Sequence, residues 1–136
     1  MLSKQARYAM LAMAFLAREH DTEVVPIGRI AESEHIPQRM LERILLHLKN
    51  NGYLASIRGK AGGYRLTKRP EQISLLDIVL LFEESVSMLA CTCEDVYRPC
   101  EFCKEELSCP IRSTFATIYR QTVETLRSTT LADLVK

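Results

Sequence analysis

The sequence predicts a mainly α protein: a winged helix-turn-helix domain with a two-stranded wing, followed by a long C-terminal helix. Three observations predict it. Apolar residues recur at three- and four-residue steps over most of residues 4–50. Three glycines fall within residues 59–63, between two short runs of mixed apolar and polar character. After Pro110, a further apolar stripe of helical period continues to about residue 127.

The elements follow in order. Residues 4–19 read as a helix, because Ala6, Ala9, Met10, Met13, Leu16 and Ala17 share one face. After a polar break, Pro26 opens a short helix over 27–33 that buries Ile27, Ile30 and Ala31, since proline is tolerated in a first turn. Glu34, His35 and Ile36 form a tight turn, and Pro37 starts a helix that runs to about Asn50. Its buried stripe is Met40 or Leu41, then Ile44, Leu45 and Leu48, and Asn51-Gly52 closes it. Strands are expected at 54–58 and 64–67, joined by the glycine-rich tip. Ser74 can cap a helix over 75–82. Residues 91–109 show no period and are too long for an ordinary connection, so a functional loop is expected there. Pro110 then opens the long helix, 110–127, with Ile111, Phe115, Ile118, Thr122 or Val123, and Leu126 as its stripe, and 130–135 reads as a short tail. Two functional regions result: 1–72, the winged helix-turn-helix, and 73–136, which holds a linker helix, the cysteine loop and the long helix.

Charge divides along the same line. Residues 1–70 hold 12 Lys/Arg against 6 Asp/Glu, and residues 71–136 hold 6 against 11, so a net of +6 faces a net of −5. One half can meet a polyanion that the other repels. No apolar run approaches the ~18–20 residues that span a bilayer. The first residues lack the order of a signal peptide, so no membrane association and a cytoplasmic location are expected.

In a helix-turn-helix the second helix of the motif can enter the major groove and present its N-terminal side chains to base edges. Those side chains are Gln38, Arg39, Glu42 and Arg43, and Gln and Arg can make paired contacts to adenine and guanine. Arg58 and Lys60 stand on the hairpin, with Arg65 nearby, where glycines let the backbone approach phosphates or a minor groove. Double-stranded operator DNA is the expected partner.

Every cysteine lies in one segment: Cys91, then Cys93, Cys100, Cys103 and Cys109 with the spacing C-x6-C-x2-C-x5-C. Clustered thiolates suit zinc, copper(I) or an iron–sulfur cluster, and in a reducing compartment they more often bind metal or sense redox state than form structural disulfides. The irregular gaps do not match a zinc ribbon, which uses paired C-x2-C knuckles.

The sequence R-I-A-E-S-E-H-I-P-Q-R-M-L-E-R-I-L-L-H-L-K-N-N-G-Y-L-A-S-I-R-G-K-A-G-G-Y-R-L, residues 29–66, resembles the Rrf-two family of bacterial winged helix-turn-helix transcriptional regulators, in particular its IscR/NsrR-like members. L-S-K-Q-A-R-Y-A at 2–9, T-L-A-D-L at 130–134, R-G-x-x-G-G-Y at 58–64 and C-P-I-R at 109–112 extend the resemblance over the whole chain. The resemblance implies a homodimer paired through the long C-terminal helix. It also implies recognition by the helix that begins near Pro37, with Gln38, Arg39, Met40, Glu42 and Arg43 carried over, and a wing arginine, Arg58, in the minor groove.

Sensing members of that family hold an iron–sulfur cluster with three cysteines and a less usual fourth ligand. This chain departs from them. His20, His35 and His47 lie outside the cysteine segment, Arg112 stands three residues after the last cysteine, and Arg7 occupies a position where some relatives carry a carboxylate. An additional cysteine makes a four-thiolate set available: Cys93, Cys100, Cys103 and Cys109, with Cys91 spare or exchanging with Cys93. The expected cofactor is a 2Fe–2S or 4Fe–4S cluster, with structural zinc or metal-free thiol sensing as alternatives. An enzyme is not expected. A thiol oxidoreductase on Cys100 and Cys103 would need a βαβ surround that the sequence lacks.

Overall fold

The computed structural model describes residues 2–21, 24–94, 97–99 and 108–135. Its elements are α1 (Lys4–Arg18), α2 (Ile27–Glu34), α3 (Gln38–Asn50), β1 (Leu54–Ile57), β2 (Gly63–Leu66), α4 (Leu75–Val79), α5 (Arg112–Ser128) and α6 (Leu131–Leu134), with single 3-10 turns at Pro70–Gln72 and Ala90–Thr92. The mainly helical architecture with one two-stranded sheet is the predicted one.

α1 starts where Ser3 Oγ accepts the amide proton of Ala6 at 3.1 Å. It buries Ala6, Ala9, Ala12, Met13, Phe15, Leu16 and Ala17, a stripe broad enough to serve as the centre of the core. α2 and α3 pack on it. The turn between them is made by His35, the one described non-glycine residue with positive φ, at 53°. Glu34, expected in that turn, is instead the last residue of α2, because the left-handed step falls at His35. α3 buries Leu41, Ile44, Leu45 and Leu48. It ends in paired capping bonds, Gly52 N–H to the Lys49 carbonyl and Tyr53 N–H to the Leu48 carbonyl, both 3.0 Å. Gly52 supplies the required φ of 84°.

β1 and β2 pair antiparallel, from Leu54 opposite Leu66 to Ile57 opposite Gly63. β1 ends one residue earlier than the sequence suggested, and β2 sits one residue earlier at both ends. Arg58 and Thr67 fall outside, and Gly63 falls inside, because Tyr64 also bridges to Val25 and fixes the register.

α4 begins in a capping box between Ser74 and Asp77, as expected, but ends at Val79 rather than near Phe82. The chain tightens there: Leu81 and Phe82 donate three residues back, to Ile78 at 3.2 Å and Val79 at 3.0 Å. α5 begins at Arg112, two residues after Pro110, and Ile111 is left 51% exposed ahead of it rather than within its stripe. The expected C-terminal tail is a helical turn, α6, capped by Thr130 with Asp133. Leu131 donates to the Ile73 carbonyl at 2.9 Å and is completely buried. One buried cluster therefore includes Leu131, Ile73 and Ile78 together with α1, α2 and α3 residues.

Candidate DNA-binding surface and cysteine segment

α3 buries one side and leaves Gln38, Arg39, Glu42, Arg43 and Leu46 exposed on the other. Met40 is half-buried and packs against the core, so its backbone position rather than its side chain lies on that face. Beyond β1 the wing turns through Arg58 and Lys60, both exposed. Gly59 takes a φ of 111°. Gly62 closes the tip, donating to the Gly59 carbonyl at 3.0 Å, and any Cβ there would lie 2.2 Å from the Ile57 carbonyl oxygen.

Some basic residues of this half are already neutralised by carboxylates. Arg18 pairs with Glu34 at 2.8 Å and Arg29 with Glu19 at 2.9 Å, and both guanidinium groups sit over the Phe15 ring. Among the described residues, no carboxylate lies within ion-pair distance of Arg39, Arg43, Lys49, Arg58 or Lys60. The cations of α3 and the wing are therefore among those that remain available, where charge is most useful to a helix and hairpin meeting a polyanion.

The cysteine segment begins on the 3-10 turn Ala90–Thr92. Cys91 and Cys93 are buried and Cys109 is half-buried. Ser87 Oγ donates to the Leu89 carbonyl at 2.6 Å and lies 2.7 Å from Thr92 Oγ1, which holds the turn in place. Cys93 Sγ receives a hydrogen bond from Ser85 Oγ at 3.3 Å and lies 3.7 Å from the hydroxyl of Tyr119, the buried residue of α5. It borders a cavity of about 200 Å³ between α4 and α5. Arg112 donates to the Cys91 carbonyl at 3.3 Å. Cys100 and Cys103 lie outside the described residues. Among the described residues no three metal-ligating side chains come together. The donors that are described are thiols, the class a soft metal or iron–sulfur cluster takes, so the chemistry of the set fits such a group.

Three contacts were not anticipated. Tyr119 stands four residues after Phe115, so the helical period could have assigned it to the buried side. Ser85 carried no such signal. His47 Nε2 lies 2.9 Å from the Leu81 carbonyl, and its ring meets Phe82 edge-on at 5.1 Å. This links α3 to the segment leading into the cysteines. In that segment Glu83 accepts the Ser3 amide proton at 2.7 Å, and the hydrogen bonding by Ser3 holds its carboxyl below the ordinary carboxylate range.

The sequence model of the Rrf2 family, described as iron-dependent transcriptional regulators, matches residues 2–136. An HTH-type transcriptional regulator of Rhodobacter capsulatus, named rrf2-like, is 35% identical over 138 residues, covering 99% of this chain and 92% of its own. The solved structure of CymR, titled the global cysteine regulator of B. subtilis, superposes with a TM-score of 0.82 at 30% identity, over 99% of this chain and 95% of that one. The IscR of T. potens superposes with a TM-score of 0.76 at 26% identity, over 99% and 85%. These are helix-turn-helix regulators of transcription and not enzymes. The chain belongs to the Rrf2 family and is a transcriptional regulator. No described helix is long and apolar enough to cross a membrane.

Proposed function

We propose that this chain binds double-stranded operator DNA as a homodimer, and that an iron–sulfur cluster in its cysteine segment sets the affinity. The observation that carries the reading is the exposed face of α3 beside the glycine-tipped wing, with cations that no described carboxylate neutralises. Gln38, Arg39, Glu42 and Arg43, placed by the backbone at Met40, read bases in the major groove, and Arg58 and Lys60 contact the adjacent minor groove and its phosphates. Arg58→Ala and Arg39→Ala should each weaken operator binding by about 1–3 kcal/mol with folding unchanged. Fluorescence anisotropy on a duplex selected by the wild-type protein from a random-sequence library reads the effect. Wild-type affinity in either variant removes that residue from the interface.

Dimerisation is supported by α5. Phe115, Ile118, Val123 and Leu126 are only half-covered within one chain, which suits a surface completed by a second copy. Charged residues at Ile118 and Val123 should convert the protein to a monomer by sedimentation. A wild-type chain that sediments as a monomer at micromolar concentration ends this part of the reading.

Cys93, Cys100, Cys103 and Cys109 would hold the 2Fe–2S or 4Fe–4S cluster, which supplies a redox-active and chemically labile centre when bound. The chain's own residues provide the connection. Ser85 and Tyr119 position Cys93, Arg112 of α5 holds the Cys91 backbone, and Leu81 and Phe82 touch His47 of α3. A change at the cysteines thus has a contact route to both the dimer helix and the recognition helix. Coupling along it requires that the two states differ in stability.

A further inference from the structure

We infer that the hydroxyls of Ser85 and Tyr119 donate hydrogen bonds to Cys93 as a cluster ligand and hold the reduction potential of the bound cluster above the value it would have without them. The inference rests on the proposed iron–sulfur site, with Cys93 among its ligands. Both are positioning residues, since they act through the ligand. Ser85 comes from the segment after α4 and Tyr119 from α5, so two separate elements grip one sulfur.

Ser85 Oγ lies 3.3 Å from Cys93 Sγ, and the Tyr119 hydroxyl oxygen lies 3.7 Å from it. A ligating cysteine is a thiolate, with no proton to give, so in each contact the hydroxyl is the donor. Ser85 is already arranged for this. Its oxygen accepts the Ser87 amide proton at 3.0 Å, which leaves its own proton for the sulfur. Cys93 is 4% exposed, so little water competes for the sulfur, and a donor there counts for more than at a surface. Leu76, Leu80 and Val123 give the adjoining cavity apolar walls. Glu84 and Arg127 also border it, but their side chains are 58% and 64% exposed and pair with Arg98 and Glu124. Solvent screens those charges, so the two hydroxyls, at bonding distance, act on the sulfur more strongly than either. A hydrogen bond to sulfur strengthens as the sulfur gains negative charge. The donors therefore stabilise the reduced form of the bound cluster more than the oxidised form, which raises its potential. The Ser85 bond is the shorter, so its effect should be the larger.

The test is a mediated redox titration of the full-length protein, prepared anaerobically. Visible absorption is followed at fixed pH, and iron and acid-labile sulfide are assayed on the same samples. Ser85→Ala should keep iron and sulfide and shift the midpoint potential below wild type. Tyr119→Phe, which retains the ring, should shift it in the same direction by less, and the double variant by more than either. Ser85→Thr restores a hydroxyl beside a cavity with room for one methyl group and should return the potential toward wild type. A purely structural role for Ser85 predicts no such dependence on the hydroxyl. If Ser85→Ala loses iron and sulfide, Tyr119→Phe decides alone. A potential equal to or above wild type in Tyr119→Phe, and in Ser85→Ala where it can be measured, overturns the inference and leaves the cluster reading standing. Wild-type protein without iron and sulfide overturns the cluster reading and this inference with it.

Discussion

Serine at Cys93, Cys100, Cys103 or Cys109, introduced singly, is expected to bleach or reshape the visible absorption of anaerobically prepared protein and to lower its iron and acid-labile sulfide. Serine at Cys91 should leave all three unchanged. The reason is ligand count and softness. Four thiolates complete the coordination of a 2Fe–2S or 4Fe–4S cluster, and a serine oxygen is a poor substitute at a site selected for sulfur. The same four variants should shift operator affinity, because Cys93 contacts Ser85 and Tyr119, and Arg112 of α5 is tied to the Cys91 carbonyl. Far-ultraviolet circular dichroism separates this from misfolding, since the buried cluster of α1, α2 and α3 contains no cysteine. Stoichiometric zinc without sulfide in the wild-type protein would replace the sensor with a structural metal site. Metal-free protein whose DNA affinity follows thiol oxidation would replace it with direct thiol sensing.

Gly63→Ala should be the most damaging single methyl group added to the wing. A Cβ at Gly63 would stand 2.2 Å from the Val25 carbonyl oxygen, 2.4 Å from its carbon and 2.8 Å from the Pro26 nitrogen. All three are backbone atoms, so no rotamer change relieves the clash. The chain must separate Val25 from Tyr64, whose two hydrogen bonds are 2.9 and 2.8 Å. Lost bonds and forced displacement together imply about 2–5 kcal/mol of destabilisation, a large part of the ~5–15 kcal/mol typical of a domain. Urea unfolding measures it. Gly28→Ala is the counterpart: an added methyl meets nothing, and alanine's helix preference should stabilise the fold by about 0.5–1 kcal/mol. Equal stability of Gly63→Ala and wild type would mean that the Val25–Tyr64 bridge does not hold the wing.

The local elements were legible because their causes are local. A repeat of three and four residues selects one face of a helix, and it placed Leu41 or Met40, Ile44, Leu45 and Leu48 correctly on the inner face of α3, with Leu41 the buried member of the first pair. Asn51-Gly52 announced the end of that helix, and three glycines announced the hairpin tip. The clustering of the cysteines was equally plain, since it is a property of sequence order alone. Boundaries were less legible where a distant partner decides them. Gly63 joins its strand because Val25 approaches its backbone, and α4 ends early because Leu81 and Phe82 tighten into three-residue bonds.

Other features only the tertiary structure could decide. Nothing in the local sequence marks residues 131–134 as part of the core, yet Leu131 is fully buried beside Ile73, 58 positions earlier in the chain. Periodicity could assign Tyr119 to the inner side of α5, but not to the Cys93 sulfur, 26 residues away. The contact of His47 with the Leu81 carbonyl, which joins α3 to the approach to the cysteines, spans 34 residues. The sequence by itself determined which faces are apolar, where the chain turns and which thiols are available. The packing of α1, α4, α5 and α6 determined which of those residues meet, because contacts between distant segments depend on how whole helices are oriented and not on the spacing within any one of them.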